Sequence, residues 1–222
     1  MSLASKAPVR ETRIGFAGVG FDVYERLIRA TSARTAVRMA YDGKDLEIMV
    51  KGPVHDHYGR LLDRFITAIA TTMGIAHRGL GETTWIRPEI ERGLEADQCY
   101  VFDPAKLALV KELLARKEND IAGYPNPDLA VEVDISRPQA DRPGIYAALQ
   151  VPELWTFDGE IMSIAQLSGG HYIATGRSRW LPISAHDVTR WLVEEDTGDT
   201  IAWEARVRAW VEMLPRAEGG AL

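Results

Sequence analysis

Nine residues, Pro127 to Ile135, set the tightest limit on what this chain can fold into. They read Pro-Asp-Leu-Ala-Val-Glu-Val-Asp-Ile, and from Asp128 onward every second side chain is apolar and branched. Side chains alternate across a strand. Leu129, Val131, Val133 and Ile135 therefore line one face and pack on a core, while Asp128, Ala130, Glu132 and Asp134 share the other. Carboxylates in such a row repel one another and are costly to bury unpaired. Either positive groups meet this face or it is open to water.

A second acidic segment favours a site over a plain solvated surface. In Gly93-Leu-Glu-Ala-Asp97-Gln-Cys-Tyr-Val101, Glu95 and Asp97 fall on one strand face just before an apolar stretch. Two neighbouring strands with inward carboxylates make an oxygen-rich site of the kind that suits Mg²⁺ or Mn²⁺. Such an ion activates water and offsets charge building on a phosphoryl group.

The remaining pattern is a mixture of helices and strands. Phe21 to Arg29 has helical spacing, and residues 1–20 read as irregular. Their glycines run G-x-x-G-x-G, and only Ile14 precedes them as possible strand, so a dinucleotide loop is excluded. Val37–Tyr41 and Lys44–Val50 flank Asp42-Gly43, which predicts a hairpin on a type I′ turn. Val54–Met73 carries a wide apolar stripe and ends at Gly74, the clearest helix in the chain. Strands are expected at 75–80, 82–87 and 97–102, a helix over Pro104–Arg116, and a loop from Asn119 to Pro127. Beyond the Leu129–Ile135 strand come a short helix at Gly144–Leu149 and strands flanking Asp158-Gly159. Tyr172–Ala174 reads as an edge strand, Ser184 as the cap of a helix reaching about Glu195, and Ile201–Leu214 as a last helix. The fold class is α/β or α+β, a mixed sheet flanked by helices.

Bulk properties bound the function. The 222 residues carry 26 Lys+Arg against 32 Asp+Glu, a net charge of −6. That balance argues against a purely electrostatic nucleic-acid binder, but not against an enzyme whose carboxylates hold divalent cations. Cys99 is the sole cysteine, so it forms no internal disulfide, and it reads as a small buried hydrophobe. No apolar run suits a signal peptide or a membrane span, and a cytoplasmic, soluble protein is expected.

Five blocks in order resemble the Uma-type putative restriction endonuclease family. They are the hairpin Tyr41-Asp-Gly-Lys-Asp-Leu-Glu-Ile-Met49, the helix opening His55-Asp-His57, and Gly93-Leu-Glu-Ala-Asp97-Gln-Cys-Tyr-Val-Phe102. Pro127-Asp-Leu-Ala-Val-Glu132-Val133 and Ile145-Tyr-Ala-Ala-Leu-Gln-Val-Pro-Glu-Leu-Trp155 complete the series. The resemblance implies a PD-(D/E)XK nuclease fold and a metal-dependent endonuclease acting on DNA. It divides the chain into a flexible lead (1–19), a restriction-endonuclease-like domain (20–195) and a C-terminal helical extension (196–222). It also implies Asp97 and Glu132 as the acidic metal ligands, with Glu47 of the hairpin as a supporting ligand. Glu47 reads equally well as a surface glutamate beside Lys44 or Lys51.

The lysine of that superfamily belongs two residues after the second acid, where this chain has Asp134. By the resemblance it comes from the next helix instead, and there the chain has Arg142. A lysine can deprotonate a water, whereas an arginine stays protonated. Arg142 is therefore read as an electrostatic stabiliser, against the alternative of an exposed helix-start arginine without a role. His55 and His57, two apart on a helix, diverge and do not share a metal well. His57, Arg60 and Arg64 fall near one face, which suits a phosphate backbone, although a solvated helix face accounts for them as well and is the preferred reading. Trp191, Trp203 and Trp210 suggest a dimer or domain contact. A homodimer suits a nuclease that cuts both strands of a duplex. Two rival readings stay open: an inactive DNA- or protein-binding descendant of the fold, and a hydrolase of smaller phosphate esters.

Overall fold

The computed structural model describes residues 11–31, 37–195 and 198–215. Two sheets meet at the acidic segments. The first has the order β1-β3-β2-β6-β5 and is antiparallel throughout, with β1 at Thr12–Phe16, β2 at Val37–Tyr41 and β3 at Leu46–Val50. Its other strands are β5 at Thr84–Arg87 and β6 at Arg92–Glu95. The second has the order β11-β10-β9-β8-β7-β4, built from β4 (Arg78–Gly79), β7 (Gln98–Val101), β8 (Leu129–Val133), β9 (Glu153–Phe157), β10 (Met162–Ser168) and β11 (His171–Ala174). Only β8 and β9 run parallel within it. The helices are α1 (Phe21–Thr31), α2 (Pro53–Met73), α3 (Pro104–Ala115), α4 (Arg142–Ala148), α5 (Ala185–Thr189) and α6 (Thr200–Glu212). The result is a mixed α/β fold of two sheets flanked by helices, consistent with a restriction-endonuclease-like α+β architecture.

Strand β8 is buried on both faces. Leu129, Val131 and Val133 join Leu62, Phe65 and Ile66 of α2 in the larger core, which also takes in Trp155, Phe157 and Trp203. On the opposite side Ala130 packs with Cys99, Leu154 and the α4 residues Ile145 and Tyr146. The acidic face thus looks onto a helix rather than onto water. Asp128 is spent at its entrance, accepting from the Phe102 and Asp103 N–H groups and from Lys106 Nζ at 2.6–2.7 Å.

Three expectations need correction. Residues 12–16, read as irregular, form β1, which pairs with β3 from Thr12↔Val50 to Phe16↔Leu46; residues 1–10 lie outside the described ones. The turn at Asp42-Gly43 is not type I′, because left-handed backbone appears at Gly43 (φ +93°) and not at Asp42. Tyr41 pairs with Leu46, so four residues form the loop, and Asp42 Oδ1 accepts the N–H groups of Lys44 and Asp45. Asp158 and Gly159 repeat this design, an aspartate folding the turn through its own side chain. Third, Gly93 to Val101, read as one strand face, divides into β6 and β7, which lie in different sheets. Of the dimer or domain contact expected for the tryptophans, an internal contact is present: Trp203 is fully buried and donates Nε1–H to the Trp191 carbonyl at 2.9 Å. The apolar side of α6 is thus packed into the core through Trp203, Val207 and Val211.

Removing that anchor leaves a void against Phe65 of α2. Trp203→Ala should cost about 3–5 kcal/mol of folding free energy, read as a lowered midpoint in urea unfolding.

Candidate active site

The site is assembled from both sheets. Glu47 comes from the second position of β3, Glu132 from β8, Asp97 from the crossover between β6 and β7, and Arg142 from the first position of α4. Asp141 caps α4 by accepting the Gly144 N–H at 3.0 Å, and this cap aims Arg142 inward. All four of these residues are at most 2% exposed.

Arg142 is the hub. One arm of its guanidinium donates to Glu132 Oε2, and the other to Glu47 Oε1 at 3.0 Å. Tyr146, one turn further along α4, donates its hydroxyl to Glu132 Oε1. Arg13 of β1 adds a second guanidinium, 2.8 Å from both Glu47 Oε1 and Asp134 Oδ1, and 2.7 Å from Glu11 Oε1. The remaining oxygen of Glu47 accepts the Gln139 N–H. Asp97 stands at the other end, where Oδ2 accepts the Val133 N–H at 2.9 Å and lies 3.1 Å from His55 Nε2. Its Oδ1 is buried without a partner.

The charges do not balance. Five carboxylates (Glu11, Glu47, Asp97, Glu132 and Asp134) surround two guanidinium groups. The surplus appears in the proton affinities. Burial pushes Glu132 well above the usual carboxylate range; Arg142 pulls it down, but Asp97 and Asp134 oppose that pull. Asp134 is raised for the same reasons, burial first. Burial also acts upward on Glu47 and Asp97. For Glu47 it is outweighed by Arg142, the Gln139 N–H and Arg13, so the net shift is downward. For Asp97 it is outweighed by His55, Arg142 and the Val133 N–H, again giving a lowered value. Burial lowers Arg142, yet the surrounding carboxylates overcome this and hold it firmly protonated.

A cleft of about 950 Å³ opens along the N-terminal half of α2. Lys51, Arg60, Glu82 and Gln98 help line it, and so do Asp97 and His55. Glu132, Glu47 and Arg142 lie behind this wall rather than on it. His57, Arg60 and Arg64 all border the cleft, although Arg64 also pairs with Glu204 at 3.1 Å. His55, by contrast, is 2% exposed and faces Asp97, a contact that its spacing from His57 did not show. Glu95 departs as well: it pairs with Arg38 at 3.1 Å in the first sheet, away from Asp97. The chain changes sheets at Ala96, and the alternation breaks there.

Among the described residues no group of three or more His, Cys, Asp or Glu side chains is arranged to hold a metal ion. A smaller donor set is present. Asp97 Oδ1 is free, hard and surrounded by surplus negative charge, which fits a divalent cation that keeps several waters. Glu132 can serve only in competition with Arg142 and Tyr146, and Glu47 has both oxygens engaged.

The family model described as Uma2, putative restriction endonuclease, matches residues 21–184. The chain belongs to this family, and a nuclease-like function follows at that level. No curated protein matches it. Also, among the described residues no helix is long and apolar enough to cross a membrane.

Arg142→Met should strand Glu132 and Glu47 in the interior, costing about 3–5 kcal/mol near pH 8. A raised folded-state pKa favours the protonated form, so the stability it carries is complete below the ordinary glutamate range and is lost as pH rises. The variant should therefore recover much of its stability at pH 5, checked by denaturant melts at both pH values.

Proposed function

We propose that the chain is a metal-dependent endonuclease that hydrolyses DNA phosphodiester bonds, with Asp97 and Glu132 as ligands of Mg²⁺ or Mn²⁺. The observation that carries this reading is the unbalanced set of buried carboxylates ending at Asp97 Oδ1, beside an open cleft. When bound, the ion supplies an activated water and offsets charge on the reacting phosphate.

The chain's own residues do the rest. Asp97 meets the cleft, so the scissile phosphate approaches from the α2 side. Arg60 and Arg64 on that wall meet flanking phosphates, contacts that position a strand without reading its sequence. Arg142 cannot take a proton from water; its part is to stabilise negative charge through its guanidinium fork. Glu47 orients Arg142 from β3, with Arg13 and the Gln139 N–H holding Glu47 in turn. Tyr146 fixes the carboxyl plane of Glu132.

A second reading has its own support. Both Glu132 oxygens are already taken by Arg142 and Tyr146, which suits a descendant that binds DNA or protein and has lost turnover. Cleavage of single- and double-stranded DNA with Mg²⁺ or Mn²⁺ separates the two. Cutting by the wild type that Asp97→Ala and Glu132→Ala both abolish is the expected result. Cutting by Arg142→Lys alone would make the natural protein a disabled nuclease. No cutting by any variant, with no metal bound in calorimetry, would sink the metal site. Duplex affinity should fall steeply as salt rises; absence of duplex binding would turn the reading toward smaller phosphate esters.

A further inference from the structure

His55 sits in the first turn of α2, behind Gly52 and Pro53, where the helix starts without a side-chain cap. It is 2% exposed, yet neither ring nitrogen has an aligned hydrogen-bond partner. Its Nε2 lies 3.1 Å from Asp97 Oδ2, at hydrogen-bond distance but off a straight line. On the other side Nδ1 stands 3.9 Å from Asp56 Oδ1, which Lys51 Nζ approaches to 3.2 Å.

The two oxygens of Asp97 are treated unequally. Oδ2 receives the Val133 N–H at 2.9 Å and faces His55 Nε2, whereas Oδ1 is buried and bare. A carboxylate free to rotate would share its donors between both oxygens. Here one donor comes from the backbone of β8 and the other from α2, two elements of the main core, so the carboxyl plane is pinned from two sides.

We infer that His55 is a positioning residue for Asp97: with the Val133 N–H it holds Oδ2 and so presents Oδ1 to a divalent cation at the inner end of the cleft. This rests on the reading of Asp97 as a metal ligand. Partners behind a ligand that fix its orientation commonly govern metal affinity without touching the ion.

The test is Mn²⁺ binding to the full chain, by calorimetry and pulsed electron paramagnetic resonance, with melting curves in the absence of metal. His55→Leu should weaken Mn²⁺ binding roughly 10- to 100-fold, while His55→Gln, whose amide N–H can reach Oδ2, should stay within about threefold of the wild type. Asp97→Asn should abolish binding, and the Mn²⁺-loaded wild type should give no strong nitrogen coupling from a directly bound imidazole. Should the leucine variant fail to fold, the glutamine variant and the nitrogen coupling still decide. Wild-type affinity in folded His55→Leu, equal losses in both His55 variants, or strong nitrogen coupling would each overturn the positioning role. A wild type that binds no Mn²⁺ fails the metal-ligand reading itself; binding that Asp97→Asn abolishes and His55→Leu leaves intact fails only His55.

Discussion

The guanidinium of Arg142 joins three parts of the molecule that also share one apolar cluster. It reaches Glu132 in the second sheet and Glu47 in the first, and its own backbone opens α4. Breaking such a pair on one side leaves a charge in the interior with no water to receive it. The angle between the sheets at this point is therefore fixed by ion pairing as well as by apolar packing. Arg13 repeats the device from β1, tying Glu47 to Asp134. Two cations hold together a crowd of anions that would otherwise push β3 and β8 apart.

The same arrangement divides the site into two layers. Behind the wall, Glu132, Glu47 and Arg142 pair with one another and are shielded from solvent, with Arg142 Nε left unpartnered. At the wall, Asp97 and His55 face the cleft, and one carboxylate oxygen is left over. Polar networks in low dielectric are rigid when complete and costly when not. The paired layer supplies the rigidity, while at the edge Asp97 keeps one oxygen without a partner, so neighbouring carboxylates meet different surroundings.

Much of this was legible before any coordinates. The alternation through β8, the stripe and glycine stop of α2, and the cap at Ser184 are local signals, and local signals survive folding. The choice between positive partners and open water for the acidic face was settled by α4, which covers β8 from beyond a ten-residue separation between Glu132 and Arg142. What escaped depends on contacts distant in sequence. Nothing local marks Arg13 as a partner of Asp134, 121 residues away. His55 looked like its exposed neighbour His57 because the pattern of α2 cannot say which turn meets the loop carrying Asp97. Glu95 and Asp97 looked alike for the opposite reason: a strand rule was applied across a change of sheet.

Strand β1 carries a practical consequence. The family match begins at residue 21, yet Arg13 lies eight residues earlier and ends in the middle of the carboxylate cluster. Likewise α6, beyond the match's end at residue 184, closes the core over Phe65. A recombinant fragment cut at the borders of the match would carry all five blocks of the resemblance and still lack a counter-charge and a wall. Poor solubility or silence in such a fragment would describe where the scissors fell, and would say nothing about the chemistry of the intact chain.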